Sequence, residues 1–114
     1  MDKIVALPQK TLDITDPQTG APTGKTINAF IHFLGIVIET NPHKADTDAF
    51  LAHRIREKLD DLKNGSKLII LAGDDITFIN RGIENLRAAG RMTGSGWYYL
   101  LSPLQDAKPA GKEK

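Results

Sequence analysis

Between Thr26 and Thr40 the apolar residues Ile27, Phe30, Ile31, Leu34, Val37 and Ile38 recur at three- and four-residue spacing, and Asn28, His32, Gly35 and Glu39 fill the matching polar stripe. That is the period of a helix with one buried side. A strand would put His32, Leu34, Ile36 and Ile38 on one face, mixing a polar ring into an apolar row. The spacing therefore predicts a helix over 26–40, with Thr26 as its N-cap. Phe33 and Ile36 fall outside the main apolar arc, so the apolar side is wide. Such a helix is either the central one, wrapped on most sides, or it carries an exposed interface.

Asn41-Pro42 ends this helix, because the residue before a proline is pushed out of the α region. A second helix is expected over 47–63. Asp46 is its cap, Asp48 adds to an acidic first turn, and Leu51, Ile55, Leu59 and Leu62 form the core stripe. Asn64-Gly65 closes it. Lys67-Leu68-Ile69-Ile70-Leu71 is a continuous apolar run between turn signals, which reads as a strand buried on both faces. Gly73-Asp74-Asp75 opens a third helix over 75–89, with Asp74 as cap and Ile76, Ile79, Ile83 and Leu86 buried. Thr93-Gly94-Ser95-Gly96 reads as a flexible joint. Trp97-Tyr98-Tyr99-Leu100-Leu101 reads as a strand on its aromatic content, with a helix as the alternative that the sequence leaves open. Ser102-Pro103-Leu104-Gln105 resembles a capping box, so a short final helix is expected there.

The N-terminal stretch is β-rich. Thr11 to Thr15 alternates with period two, and Asp16-Pro17-Gln18-Thr19-Gly20 has turn chemistry. Residues 17–25 show no convincing second strand. The expected organisation is a β-hairpin or extended arm over 1–25, a single helical α+β core over 26–107, and a disordered polar tail over 108–114. The fold class is α+β, with three helices packed on a sheet of two or three strands.

Composition excludes several functions. With 114 residues, one domain is expected. The chain has no cysteine, which removes disulfides, thiolate nucleophiles and cysteine zinc sites together. Fifteen basic residues against 14 acidic ones give a net charge of +1, far from the basic excess of a protein devoted to a phosphate backbone. The opening Met1-Asp2-Lys3-Ile4-Val5-Ala6-Leu7-Pro8 is too short and too broken for a signal peptide. The apolar run Phe30–Ile38 is about half of the roughly 20 residues that cross a bilayer. The expected location is cytoplasmic, or inside a host cell, with no membrane partner.

Residues that bear chemistry have simpler structural readings beside them. Gly73-Asp74-Asp75 resembles a carboxylate metal turn, but it leads into a helix, where a cap and an acidic first turn account for it. His53 and Glu57 stand one helical turn apart, a spacing that can hold a metal, yet they lie opposite the apolar stripe and should face solvent. His32 reads as a histidine hydrogen-bonded at the core edge, with a buried pH switch as the rival reading. An enzyme would need a site assembled from His32, Glu39, Asp74 or Asp75, which no spacing requires. No catalytic residue, metal site or cofactor is assigned.

Two binding readings remain. Excess apolar surface at Phe33, Ile36, Trp97, Tyr98 and Tyr99 suits a non-enzymatic protein–protein interaction module, an adaptor, assembly factor or regulatory subunit, whose partner is another protein or a second copy. Compact cysteine-free chains with an irregular N-terminal arm are common among viral and phage accessory proteins. The alternative is a nucleic-acid-binding regulator. Lys63, Arg81, Arg87 and Arg91 would hold phosphates, with the aromatics that follow stacking on bases.

Overall fold

The structure, a computed structural model, describes residues 2–109. In chain order its elements are β1 (Lys3–Ala6), β2 (Thr11–Thr15), β3 (Pro22–Asn28), α1 (Ala29–Thr40), α2 (Asp46–Lys63), β4 (Leu68–Leu71), α3 (Gly73–Ala88), α4 (Tyr98–Gln105) and β5 (Lys108–Pro109). The architecture is α+β. Two small antiparallel sheets accompany the helices, one with strand order β4-β1-β5 and one formed by β2 and β3. Among the described residues there are four helices: three near the expected places, and α4, which begins at Tyr98 and takes in the short final helix expected at 102–105.

α1 is the central helix. Phe30, Leu34 and Val37 have no exposed surface, and α1 contacts α2, α3 and α4. Its wide apolar side is used inside the molecule, where Phe33 and Ile36 pack half-buried against the core. Its start differs from expectation. β3 runs through Thr26, and Asn28 is the cap instead, its Oδ1 accepting from Phe30 N at 2.9 Å and Ile31 N at 3.3 Å. Asn28 Nδ2 donates to the Pro8 carbonyl at 2.7 Å, which ties the helix start to the chain before β2.

α1 and α3 approach closely at Gly82. A Cβ there would lie 2.7 Å from Val37 Cγ1 and 3.1 Å from Asn41 Nδ2. Asn41, buried at the C-cap of α1, donates from Nδ2 to the Phe78 carbonyl at 2.8 Å. The Asn41-Pro42 boundary thus ends one helix and anchors it to another.

β1 is the middle strand of the three-stranded sheet, with Val5 buried, rather than part of a separate arm. β2 and β3 form a long hairpin around Asp16–Gly20. Gly20 N donates to the Asp16 carbonyl at 2.7 Å, and Gly20 holds a positive φ of 73°. β3 crosses the expected boundary at residue 25. Pro22 and Gly24 mask its sequence signal, since both are poor strand residues and Pro is tolerated only at a strand start or edge. Most of the hairpin is exposed.

β4 is buried on one face only. Ile69 and Leu71 point into the core, while Leu68 and Ile70 are 48% and 45% exposed. The expected burial on both faces fails because the helices pack on the Val5, Ile69 and Leu71 side.

The aromatic segment expected as a strand over 97–101 is helical and continues to Gln105. Trp97 and Leu100 are buried, with Leu101 and Leu104 packed beside the core. That set follows helical spacing, and docking this face overrides the β preference of aromatics. Gly96 is a seat as well as a joint. A Cβ there would come within 2.7 Å of the Phe33 ring. Of the expected disordered tail, Lys108 and Pro109 form β5 on β1, and residues 110–114 lie outside the described residues.

Candidate interaction surfaces

The expected interface aromatics divide into two groups. Phe33 and Trp97 pack on each other with ring centroids 4.6 Å apart, and Trp97 is buried. Ile36 is half-buried on the same helix as Phe33. Tyr98 is 64% exposed, and it meets the half-buried Tyr99 edge-on at 5.3 Å. Lys10 Nζ lies 5.9 Å from the Tyr99 ring centre, a cation–π contact between α4 and the start of β2.

Beside Tyr98 runs an open groove of about 550 Å³ between the end of α3 and α4, lined in part by Arg87, Met92, Trp97, Tyr98 and Leu101. Arg87, Leu101 and Gln105 also border a hollow of about 300 Å³ above Val5, Ile79 and Ile83. Arg87, Leu101 and Gln105 thus line both hollows, which lie on either side of these three residues' shared positions on α3 and α4.

The four basic candidates do not converge. Arg81 Nη2 donates to Asp48 Oδ2 at 2.9 Å and to the Pro42 carbonyl at 3.1 Å, facing the α1–α2 connection. Its guanidinium also stands 5.3 Å from the Phe78 ring centre. Arg87 pairs with Glu84 on its own helix. Arg91 is exposed beyond α3. Lys63 borders a different depression, with Leu7, Ile14 and Ile27 at the root of the hairpin. Asp48 is held ionised: the Lys44 N–H and then the Arg81 guanidinium keep its carboxyl below the ordinary aspartate value, against a smaller opposing effect of burial.

The residues weighed for catalysis are dispersed among separate partners. Glu39 accepts from Arg56 Nη2 at 2.6 Å. His32 is exposed, and its ring meets Phe33 edge-on at 5.0 Å, so the expected hydrogen-bonded setting at the core edge does not form. His53 and Glu57 are an exposed pair 3.6 Å apart. Among the described residues no group of three or more histidine, aspartate or glutamate side chains is placed to hold a metal ion.

The acidic turn before α3 differs most from expectation. Ala72, not Asp74, is the N-cap residue, and Asp74 is exposed. Asp75 is fully buried, and its Oδ2 accepts from Ala72 N at 2.9 Å, the return half of a capping box. Arg54 and Lys58 of α2 also donate to it. Burial pushes the Asp75 carboxyl up, but the hydrogen bonds from Lys58, Arg54 and Ala72 outweigh it and hold the group below its ordinary value. Sequence showed Asp75 as one of two adjacent carboxylates. What singles it out is its position three residues after Ala72, together with cations one turn apart on another helix.

Comparison with protein-family models, curated proteins and solved structures finds no match. Among the described residues no helix is long and apolar enough to cross a membrane.

Proposed function

We propose that this chain is a small non-enzymatic protein–protein interaction module: an adaptor, assembly factor or regulatory subunit of the viral or phage accessory kind, acting in the cytoplasm or inside a host cell. The observation that supports it is the groove beside Tyr98. Tryptophan, tyrosine, methionine and arginine are the side chains enriched where protein interfaces concentrate their binding energy, and Arg87, Met92, Trp97 and Tyr98 line this one depression. Trp97 is buried and packs on Phe33, so this part of the groove wall is held by the core. Preorganisation of this kind lowers the cost of binding.

A photo-reactive amino acid at position 98 tests the reading in cells that express the chain. One dominant cross-linked protein is expected, and Tyr98→Ala should then weaken binding to that purified protein about 30-fold, as loss of a roughly 2 kcal/mol hot spot does. Cross-linking no stronger than from a control position on the hairpin, such as Lys25, would overturn it. The alternative nucleic-acid reading receives less support, because Arg81 is held by Asp48 and Lys63 lies at the hairpin root. It predicts an affinity that falls steeply with salt and is lost on charge reversal of Arg87 and Arg91.

A further inference from the structure

β4 presents an open main-chain edge. Leu7 N donates to the Lys67 carbonyl at 2.9 Å, and the ladder continues with Val5 opposite Ile69 and Lys3 opposite Leu71. Main-chain groups alternate sides along a strand, so those of Lys67, Ile69 and Leu71 face β1 and those of Leu68 and Ile70 face outward. Among the described residues no strand pairs with β4 on that outward side. Among the described residues one of these four outward groups has a partner: the Ile70 carbonyl accepts from Lys58 Nζ. A groove of about 360 Å³ runs along the edge between Leu68, Ile70, Lys58 and Asp61, so α2 leaves room there.

We infer that a second copy of this chain adds its own β4 to this edge, antiparallel and centred on Ile69, to make a two-fold dimer. This goes beyond the groove reading and does not rest on it. The strand is its own complement. With Ile69 opposite the partner's Ile69, Leu68 faces the partner's Ile70 and Ile70 faces the partner's Leu68. These are the residues whose N–H and C=O point outward, so each pair exchanges two hydrogen bonds. The same register aligns the exposed Leu68 and Ile70 side chains of both copies on the outer face. There they continue the surface begun by Ile4 and Ala6, which stand opposite Ile70 and Leu68 on β1. A two-fold contact requires a self-complementary patch of this kind.

The other edge bears on closure. β5 consists of Lys108 and Pro109, and proline offers no N–H to a further strand. Among the described residues, that edge therefore offers no N–H at Pro109 to a third copy. Lysine over an edge carbonyl weakens strand addition. Lys58 sets the concentration at which the dimer forms, and on pairing it gives up the Ile70 carbonyl to the partner's Leu68 N–H while keeping Asp75.

Light scattering through a dilution series tests the inference. The wild-type mass should rise from that of one chain to that of two as concentration increases. Ile70→Lys should weaken association at least tenfold without altering Trp97 fluorescence, because the side chain is exposed. Ile70→Pro should do the same, since the N–H it removes lies outside the β1 ladder. Tyr98→Ala should leave association unchanged, which separates this surface from the groove. A wild-type mass of one chain up to the solubility limit would overturn the inference. So would a dimer that persists in Ile70→Lys or dissociates only in Tyr98→Ala.

Discussion

Arg54 sets both Nε and Nη2 on a single oxygen of Asp75, at 2.9 and 2.6 Å, although that carboxylate has no exposed surface. The other oxygen takes Lys58 Nζ and Ala72 N, each at 2.9 Å. One side chain thus joins α2, the end of β4 and the first turn of α3. Replacing it with asparagine keeps the shape but removes the charge that both cations face. Breaking a buried pair costs about 3–5 kcal/mol. Arg54 is 45% exposed and can turn to water, so Asp75→Asn should cost about 3 kcal/mol, the lower end of that range. Urea unfolding of the two proteins at neutral pH measures the difference.

The same carboxylate makes stability depend on pH. Its folded-state value lies below the ordinary 3.8, so the unfolded chain binds a proton first as acid is added. Its contribution is complete above the unfolded value and is lost as pH falls from there through the folded value. Wild-type and Asp75→Asn unfolding free energies should run parallel above about pH 5 and converge below about pH 4. A constant gap down to pH 2 would show that the ion pairs contribute nothing through protonation.

Asp74 and Asp75 should separate sharply despite their adjacency. Asp74 is exposed and makes no cap bond, leaving it only the helix dipole, worth about 0.5 kcal/mol. Asp74→Ala should therefore change stability by about that amount, not the ~1 kcal/mol of a lost cap. Ile79→Ala, at a fully buried core position of the same helix, should cost about 2–5 kcal/mol. Thermal unfolding of the three variants ranks them.

Two glycines are close-packed, and adding a methyl group at either tests this. Gly82→Ala drives a Cβ into Val37 and Asn41 at the α1–α3 contact, and should cost about 1–3 kcal/mol as overpacking does. Gly96→Ala pushes on the Phe33 ring, which in turn holds Trp97. Its signature should be local, a red shift of emission from Trp97, the single tryptophan, at temperatures where far-UV circular dichroism is unchanged. An unaltered emission maximum would mean that Phe33 yields without disturbing the aromatic pair.

Elements whose signal is local can be read directly along the chain. The Ile27–Ile38 pattern, the Leu51–Leu62 stripe and the Ile76–Leu86 stripe each repeat over several turns. Asn41-Pro42 and Asn64-Gly65 mark boundaries by backbone sterics alone, so the α2 and α3 spans were legible to within two residues. Trp97, Leu100, Leu101 and Leu104 carried a helical signal too, but it spans barely two turns and was outweighed by aromatic β preference. The remaining features depend on how distant segments pack. Whether Leu68 and Ile70 are covered depends on which side of the sheet the helices occupy, and a continuous apolar run is silent about that. β1 became a central strand because Ile69 and Leu71 supplied a partner ladder more than 60 residues away. Asp75 became the buried hub because α2 brings Arg54 and Lys58 to it, and Arg81 left the basic set because Asp48 reached it first. Charges, unlike helical stripes, acquire their roles from neighbours distant in the chain, and those neighbours exist only once the helices have packed.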